Sequence, residues 1–298
     1  MSEIPWTSGR ILMRDAIFSG YIENTGPLRI GAGKQQSLTS ITDLPVIRIY
    51  LKDFEVPYIP GSSIKGSFRS TAIALAQVKG LKVCNGLPRE NCMDMTEMSD
   101  VANRLKLGKS DEAMKEFFKK ACILCKIFGA PSYVGKVFFE DAYPIDEDGN
   151  LIDFRVGRRV GIAIDRRTGA VYPRALYDVE FIEPGTRFRF KIRCRNLPNY
   201  ALGLLAAILK LLHAGEVKLG GFKTRGFGQV KLEDLVISVR DFGEKNEKLR
   251  LRAIEEGVDM EVDVSDVAEI HDGWLVTSGG DAWKLLDRLQ QVWWNVKL

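Results

Sequence analysis

The sequence predicts an α+β fold of ferredoxin-like type, with helices packed on one face of a small antiparallel sheet. Three observations carry this expectation. Leaving insertions aside, the elements run strand, helix, strand, strand, helix, strand, the split order of that fold. Residues 187–195 alternate Phe188, Phe190, Ile192 and Cys194 with Arg187, Arg189, Lys191, Arg193 and Arg195, the period of a strand with one buried face. The run ALGLLAAILKLLHAG then reads as an apolar helix, with Pro198 near its first turn.

The remaining elements follow in order. DAIFSGYIENTGPLRI, residues 15–30, is an extended segment that ends at the turn Gly31-Ala32-Gly33. A second turn, Tyr58 to Ser63, opens KGSFRSTAIALAQ, and Ser62 or Ser63 suits the N-cap of a helix from about 64 to 78. Residues 79–110 are polar and irregular, and a short helix is expected over 111–127. KVFFEDA, residues 136–142, reads as a strand, and the Arg- and Gly-rich stretch 155–177 as a projecting loop or hairpin. The glycine-rich turn KLGGFKTRGFG delivers the chain into the strand QVKLEDLVIS. Residues 1–240 are therefore expected to form one domain, and 241–298 an acidic extension. That extension ends in an amphipathic helix whose Trp283, Leu286, Leu289, Val292, Trp293 and Val296 dock on the body or on a neighbouring subunit.

Composition bounds the function. The chain has 298 residues, 45% of them hydrophobic, enough for a sizeable core. No run approaches the roughly 18 apolar residues that span a bilayer, and no signal peptide is visible, so a soluble cytoplasmic protein without membrane contact is expected. The net charge of +4 is uneven: residues 1–240 hold 36 basic against 26 acidic side chains, and residues 241–298 hold seven against 13. A basic body suits a polyanionic partner.

Three cationic features could meet that partner. On the strand at 187–195, same-face residues repeat roughly every 6.7 Å, near the phosphate spacing of an extended nucleic acid. The alternative for this face is solvent, matched by acidic residues on neighbouring strands. The loop 218–228 combines Gly220, Gly221, Gly226 and Gly228 with Lys218, Lys223 and Arg225, a pattern that lets backbone N–H groups and cations cradle phosphate. It lacks the Walker pattern of ATP sites. At 60–69 the helix start offers hydroxyls, Lys65 and Arg69, the two cations four apart on one face.

Of the five cysteines, Cys122 and Cys125 have metal-ligand spacing, and Cys84 and Cys92 lie upstream in the polar stretch. Four thiolates would close a tetrahedral structural zinc site. The alternative is a helix pair with two unrelated thiols. Cys194 alternates with core residues and is expected to be buried.

Taken together, the motifs resemble the backbone subunits of the repeat-associated (RAMP) superfamily in type III CRISPR effector complexes. The N-terminal part is carried by the glycine turn after Gly26, Asp43-Leu44-Pro45-Val46-Ile47-Arg48, and Tyr58-Ile59-Pro60-Gly61-Ser62-Ser63-Ile64-Lys65-Gly66 with Arg69. The middle is carried by Lys126-Ile127-Phe128-Gly129 and Val137-Phe138-Phe139-Glu140-Asp141-Ala142. Ile164-Asp165-Arg166-Arg167-Thr168-Gly169, Leu176-Tyr177-Asp178-Val179-Glu180, and Gly220-Gly221, Arg225-Gly226 and Gly228 complete it, over roughly residues 15–238.

The resemblance implies a ferredoxin-like (RRM-like) palm with a zinc-binding insertion at 79–128 and a thumb-like hairpin at 155–177. It implies a CRISPR guide RNA held by its backbone, a target RNA, and assembly with copies of itself and other effector subunits. Ser62, Ser63, Lys65, Arg69, Lys34, Arg166, Arg167, Lys223, Arg225 and Gly226 are the RNA-binding residues it points to. Cys84, Cys92, Cys122 and Cys125 become ligands of a structural zinc. Asp43 becomes the carboxylate for cleavage of target RNA with Mg²⁺ or another divalent cation. The alternative is an architectural subunit that only binds and spaces the guide.

Two other classes fit less well. A guide-processing endonuclease of the same superfamily would use a histidine as general acid or base. The chain has His213, at the end of an apolar helix, and His271, in the extension. A metal-binding oxidoreductase would need open ligand positions or a redox cysteine pair, and no cofactor motif is visible.

Overall fold

The computed structural model describes residues 6–31, 42–243 and 249–298. Strand β1 (Arg14–Asn24) leads to a short hairpin, β2 (Arg48–Leu51) and β3 (Phe54–Pro57), and then to helix α1 (Gly61–Val78). Two 3₁₀ turns precede α2 (Ser99–Lys106), α3 (Ser110–Lys120) and α4 (Ile123–Phe128). The small hairpin β4 (Gly129–Ala130) and β5 (Tyr133–Val134) joins them to β6 (Val137–Phe139). A long hairpin, β7 (Val156–Ile164) and β8 (Val171–Ile182), feeds β9 (Arg187–Arg195) and α5 (Asn199–His213). Then come a 3₁₀ turn at Lys223–Arg225, β10 (Val230–Asp241), β11 (Arg250–Leu251), β12 (Val262–Asp263), β13 (Glu269–His271), β14 (Trp274–Ser278) and α6 (Gly279–Asn295).

The molecule is a mixed α/β fold built on antiparallel sheets. Its main sheet has the order β13-β14-β10-β1-β9-β6, with every pairing antiparallel. β1 lies at the centre because its alternate residues Ala16, Phe18 and Ile22 are apolar and fully buried. Phe188, Phe190, Ile192 and Cys194 of β9 face the same core, as the alternation predicts. Helices α1, α5 and α6 cover that face. Among the described residues, no helix is long and apolar enough to cross a membrane.

On the other face, three of the five cations of β9 meet acidic neighbours. Arg187 pairs with Glu233 and Asp234, Lys191 with Glu140, and Arg193 with Asp15. Arg189 and Arg195, exposed, have no acidic side chain paired with them among the described residues.

Two local expectations are corrected. Helix α1 starts at Gly61, with Pro60 as N-cap, so Ser62 and Ser63 lie inside its first turn. Pro60 has the fixed φ that suits the approach, and the Gly61 N–H is taken by the Asp141 carboxylate at 2.7 Å. A Cβ on residue 61 would stand 2.2 Å from the Phe139 carbonyl oxygen, so the helix can begin this close to β6 only with glycine. The helix expected at 111–127 is two helices, broken at Ala121 and Cys122, whose backbone is extended. The break turns the Cys122 N–H onto Cys92 Sγ, at 3.3 Å.

Residues 249–298 are integrated with the body. Strand β14 extends the main sheet beside β10, and α6 packs along α5, where a Cβ on Gly203 would lie 2.1 Å from the Leu289 carbonyl oxygen. The Asp259 carboxylate accepts from the N–H groups of Asn199 and Tyr200 and so caps α5 from outside its own segment. Arg14, fully buried, donates to both Asp241 oxygens, to Asn199 Oδ1 and to the carbonyl of Arg252. A buried guanidinium is tolerated because nearly all its donors are matched.

Candidate nucleic-acid interface and metal centre

The segment that follows β1 is tied to the glycine-rich loop by backbone bonds. Gly228 donates to Pro27, and Gly221 to Arg29. Gly220 (φ +76°) and Gly228 (φ +83°) are needed here: a Cβ would come within 2.2 Å of the Arg29 carbonyl oxygen and 2.1 Å of the Leu219 one. The loop therefore holds Lys223, Arg225 and Gly226 at the surface, all exposed. Lys34 lies outside the described residues.

Residues 43–48 dock on strand β8 of the long hairpin. Asp43 is exposed, and its Oδ2 accepts the Asp178 N–H at 2.9 Å. Leu44 forms a parallel bridge with Val179. Glu180 closes the arrangement: one oxygen accepts from the Val46 N–H at 2.9 Å, the other from Arg48 at 2.7 Å. Burial works to raise the Glu180 carboxyl, but these two donors outweigh it and hold it below the usual glutamate value. Arg29 reaches across from the other side, its Nε 3.4 Å from the Leu44 carbonyl oxygen and its guanidinium over the Phe222 ring.

Between hairpin and loop lies a cleft of about 300 Å³, lined by Arg159, Tyr177, Phe222, Arg225 and Phe227. Arg225 donates to the Tyr177 hydroxyl at 2.9 Å, and Arg159 lies over the Phe227 ring. Helix α1 adjoins the loop through Ser67 Oγ and the Lys218 carbonyl. Its first turns present Ser62, exposed, and Ser63 and Lys65, half-buried. Burial lowers the Lys65 pKa, and the charge of Arg69 lowers it further.

The structure thus brings Asp43, Ser62, Ser63, Lys65, Lys223, Arg225 and Gly226 onto adjoining elements. It does not bring Arg166 and Arg167 there. These sit in the hairpin turn, beyond Ile164 and so more than roughly 13 Å along β7 from Val160, the strand partner of Asp178. Along that hairpin, Val160, Ile162, Ile164, Val171, Tyr172 and Leu176 are exposed apolar side chains. Arg69 is also elsewhere, beside the cysteine cluster. Glu180, Arg159, Phe222 and Phe227 were not singled out from the sequence. Their grouping needs contacts between segments far apart in the chain, and no local pattern announces it.

The cysteines converge as one group. The sulfurs of Cys84, Cys92, Cys122 and Cys125 all lie within 4.8 Å of one another. Cys84 Sγ is 3.2 Å from Cys125 Sγ and 3.7 Å from Cys122 Sγ. A tetrahedral ion with M–S bonds of about 2.3 Å has sulfur–sulfur edges of roughly 3.8 Å, so the four fit one metal ion. The Cys125 and Cys92 thiols beside Cys122 hold it far below the usual thiol range, and the neighbouring Cys122 pushes Cys92 up to about 12. The group is mostly buried and packs with Met98, Val101, Ala113, Phe117 and Ala121 in a small core of its own.

Neither histidine approaches these sites. His213 Nδ1 accepts the Leu232 N–H at 3.1 Å, and its ring lies 4.4 Å from that of Trp283. His271 pairs with Glu269 in the extension.

The sheet thus carries a cationic glycine-rich loop, a long hairpin with exposed apolar side chains, and an insertion whose four cysteines could hold one metal ion. The chain belongs to the RAMP superfamily, whose family model matches residues 21–231. It is 27% identical over 241 residues to the CRISPR system Cms endoribonuclease Csm3 of Methanocaldococcus jannaschii, covering 78% of this chain and 84% of that protein. It is 24% identical over 250 residues to the protein of the same name from Methanothermobacter thermautotrophicus, covering 76% and 87%.

Proposed function

We propose that this chain is a guide-RNA-binding backbone subunit of a type III CRISPR ribonucleoprotein, and that it cuts bound target RNA through Asp43 in a metal-dependent way. The observation that carries this reading is the docking of Asp43 on the long hairpin beside the cationic glycine-rich loop. Similarity over most of the chain to two proteins named endoribonuclease Csm3 supports it.

The body is read as a ferredoxin-like palm within residues 1–240. In support, β1, β6, β9 and β10 stand in the sheet order β10-β1-β9-β6, with α1 and α5 as the two crossing helices. Residues 79–128 form the metal-binding insertion, 155–177 the thumb-like hairpin, and 241–298 the C-terminal extension. The metal of the insertion is zinc, because a closed set of four thiolates suits it and leaves no open position for water. The chain works in the cytoplasm, with copies of itself and other effector subunits along one guide.

The chemistry assigns simple tasks to the residues. Ser62, Ser63 and Lys65, together with Lys223, Arg225 and Gly226, hold the guide by its sugar–phosphate strand, whatever its bases. The exposed apolar side chains of the hairpin suit insertion between bases, which unstacks a nucleotide. An unstacked nucleotide can align its 2′-hydroxyl in line with its own phosphate, and holding that geometry accounts for much of the rate. Asp43, an exposed oxygen donor fixed by the Asp178 N–H, is the group that would hold Mg²⁺ or another divalent cation. Such an ion supplies charge neutralisation at the phosphate.

A second reading is an architectural subunit without cleavage. The Asp43–Asp178 bond favours it, because it gives the carboxylate a structural task of its own. Assembled complexes carrying Asp43→Ala test the assignment: loss of cuts with retained guide supports catalysis, and unchanged cutting at every site means that Asp43 is not catalytic.

A further inference from the structure

Arg69 stands one helical turn beyond Lys65 on α1, yet its surroundings differ. Its Nη1 donates to the Gly129 carbonyl, directly after α4, at 2.9 Å. Its Nη2 lies 3.6 Å from Cys125 Sγ and 3.9 Å from Cys84 Sγ. Its Nε is buried with no partner among the described residues. The turn at Gly86 (φ +74°) closes over the guanidinium so tightly that a Cβ there would lie 2.3–2.4 Å from Nη2, Cζ and Nε. The guanidinium is thus enclosed by the cysteine loop, the end of α4 and its own helix.

Four thiolates around a divalent ion leave two negative charges in a partly buried site, and these need cations or N–H donors nearby. Lys126 is close to the cluster, but its ammonium lies over the Phe118 ring at 4.5 Å. Arg69 has the required charge, two sulfurs within reach of one nitrogen, and a second nitrogen that fixes the backbone after the Cys122–Cys125 helix.

We propose that Arg69 is a positioning residue of the metal centre and not a contact to RNA. It balances the thiolate charge and fastens the metal-bearing insertion to α1, so that Lys65 and Arg69, one turn apart, serve RNA and metal respectively. The proposal rests on the reading of the cysteines as a zinc site.

The test uses the full chain loaded with zinc, with Arg69→Met and Arg69→Lys. Zinc content is measured first, then the rate of zinc release to a competing chelator, then guide-RNA affinity against salt concentration. Arg69→Met is expected to release zinc roughly tenfold faster or more. The salt dependence of its RNA affinity is expected to stay that of the parent. Arg69→Lys, which keeps the charge but cannot span Gly129 and two sulfurs, is expected to fall between. If only Arg69→Lys folds, its release rate decides: faster than the parent supports the proposal, equal overturns it. Parent-like release together with a shallower salt slope would place Arg69 on RNA and end the proposal, while the zinc reading would survive. A parent protein without bound zinc would end both.

Discussion

The Asp43 carboxylate accepts a hydrogen bond from the backbone N–H of Asp178, 135 positions later in the chain. This bond puts the candidate carboxylate partway along the hairpin, opposite Val160, rather than at its cationic tip. Replacing Asp43 with Ala is expected to lower target-RNA cleavage by roughly 100-fold or more while guide binding is retained. Cleavage time courses on assembled complexes, with the co-purified RNA quantified alongside, check this.

Glu180 holds the Asp43 segment in place through Val46 and Arg48. Its carboxyl titrates below the ordinary value of 4.5, so its contribution to stability is complete above that pH and fades as pH falls through the lower folded value. Glu180→Gln is expected to cost about 1.5–3 kcal/mol near neutrality. It should also weaken the acid-induced loss of stability. Urea unfolding of both proteins at neutral pH and between about pH 5 and 3 tests this. Parallel curves would show that Glu180 does not act as a charged staple.

The cysteines share a small core with Met98, Val101, Ala113, Phe117 and Ala121, while Leu124, Ile127 and Phe128 at the end of the insertion belong to the main core. Removing the metal, or replacing Cys84 with Ser, is expected to open residues 79–128 to protease while the six-stranded sheet stays protected. Hydrogen exchange read by segment follows this directly. Protection that is equal with and without chelator would count against a structural metal.

Lys65 lies on α1, and Lys223 and Arg225 on the glycine-rich loop that α1 adjoins. Each change to Ala is expected to weaken RNA binding for any guide sequence, and to lower the log–log salt slope by roughly 0.7 for each phosphate that is no longer neutralised. Arg187→Ala serves as the comparison, because its guanidinium is already paired with Glu233 and Asp234. Its slope should not change.

Helix α6 approaches α5 at Gly203. Gly203→Ala is expected to destabilise the fold by about 1–3 kcal/mol, since the added carbon meets the Leu289 carbonyl and the two helices must separate. Thermal unfolding measures it. An unchanged midpoint would mean that the helices can shift without cost.

Local pattern made much of this molecule legible. The alternation at 187–195 identified β9 and its buried face, the apolar run at 201–215 identified α5, and the spacing of the last apolar residues identified α6. These signals are local because burial of one face imposes a period on neighbouring residues. The start of α1 was not legible in the same way. Its first N–H is satisfied by Asp141, 80 residues away, so the local rule that favours a serine cap did not apply. The break before α4 likewise depends on Cys92 Sγ, from another loop.

By itself, then, the sequence determined the strands β1, β9 and β10 and the helices α5 and α6, which four cysteines share a type of chemistry, and which motifs stand in the order of a known superfamily. The tertiary structure alone decided how charge is used. It matched three cations of β9 with Asp15, Glu140 and Glu233, turned Arg69 toward sulfur, and brought Asp43 against Asp178. Periodicity is written in adjacent residues, whereas the partner of a charge is chosen by whichever distant segment the folded chain sets beside it.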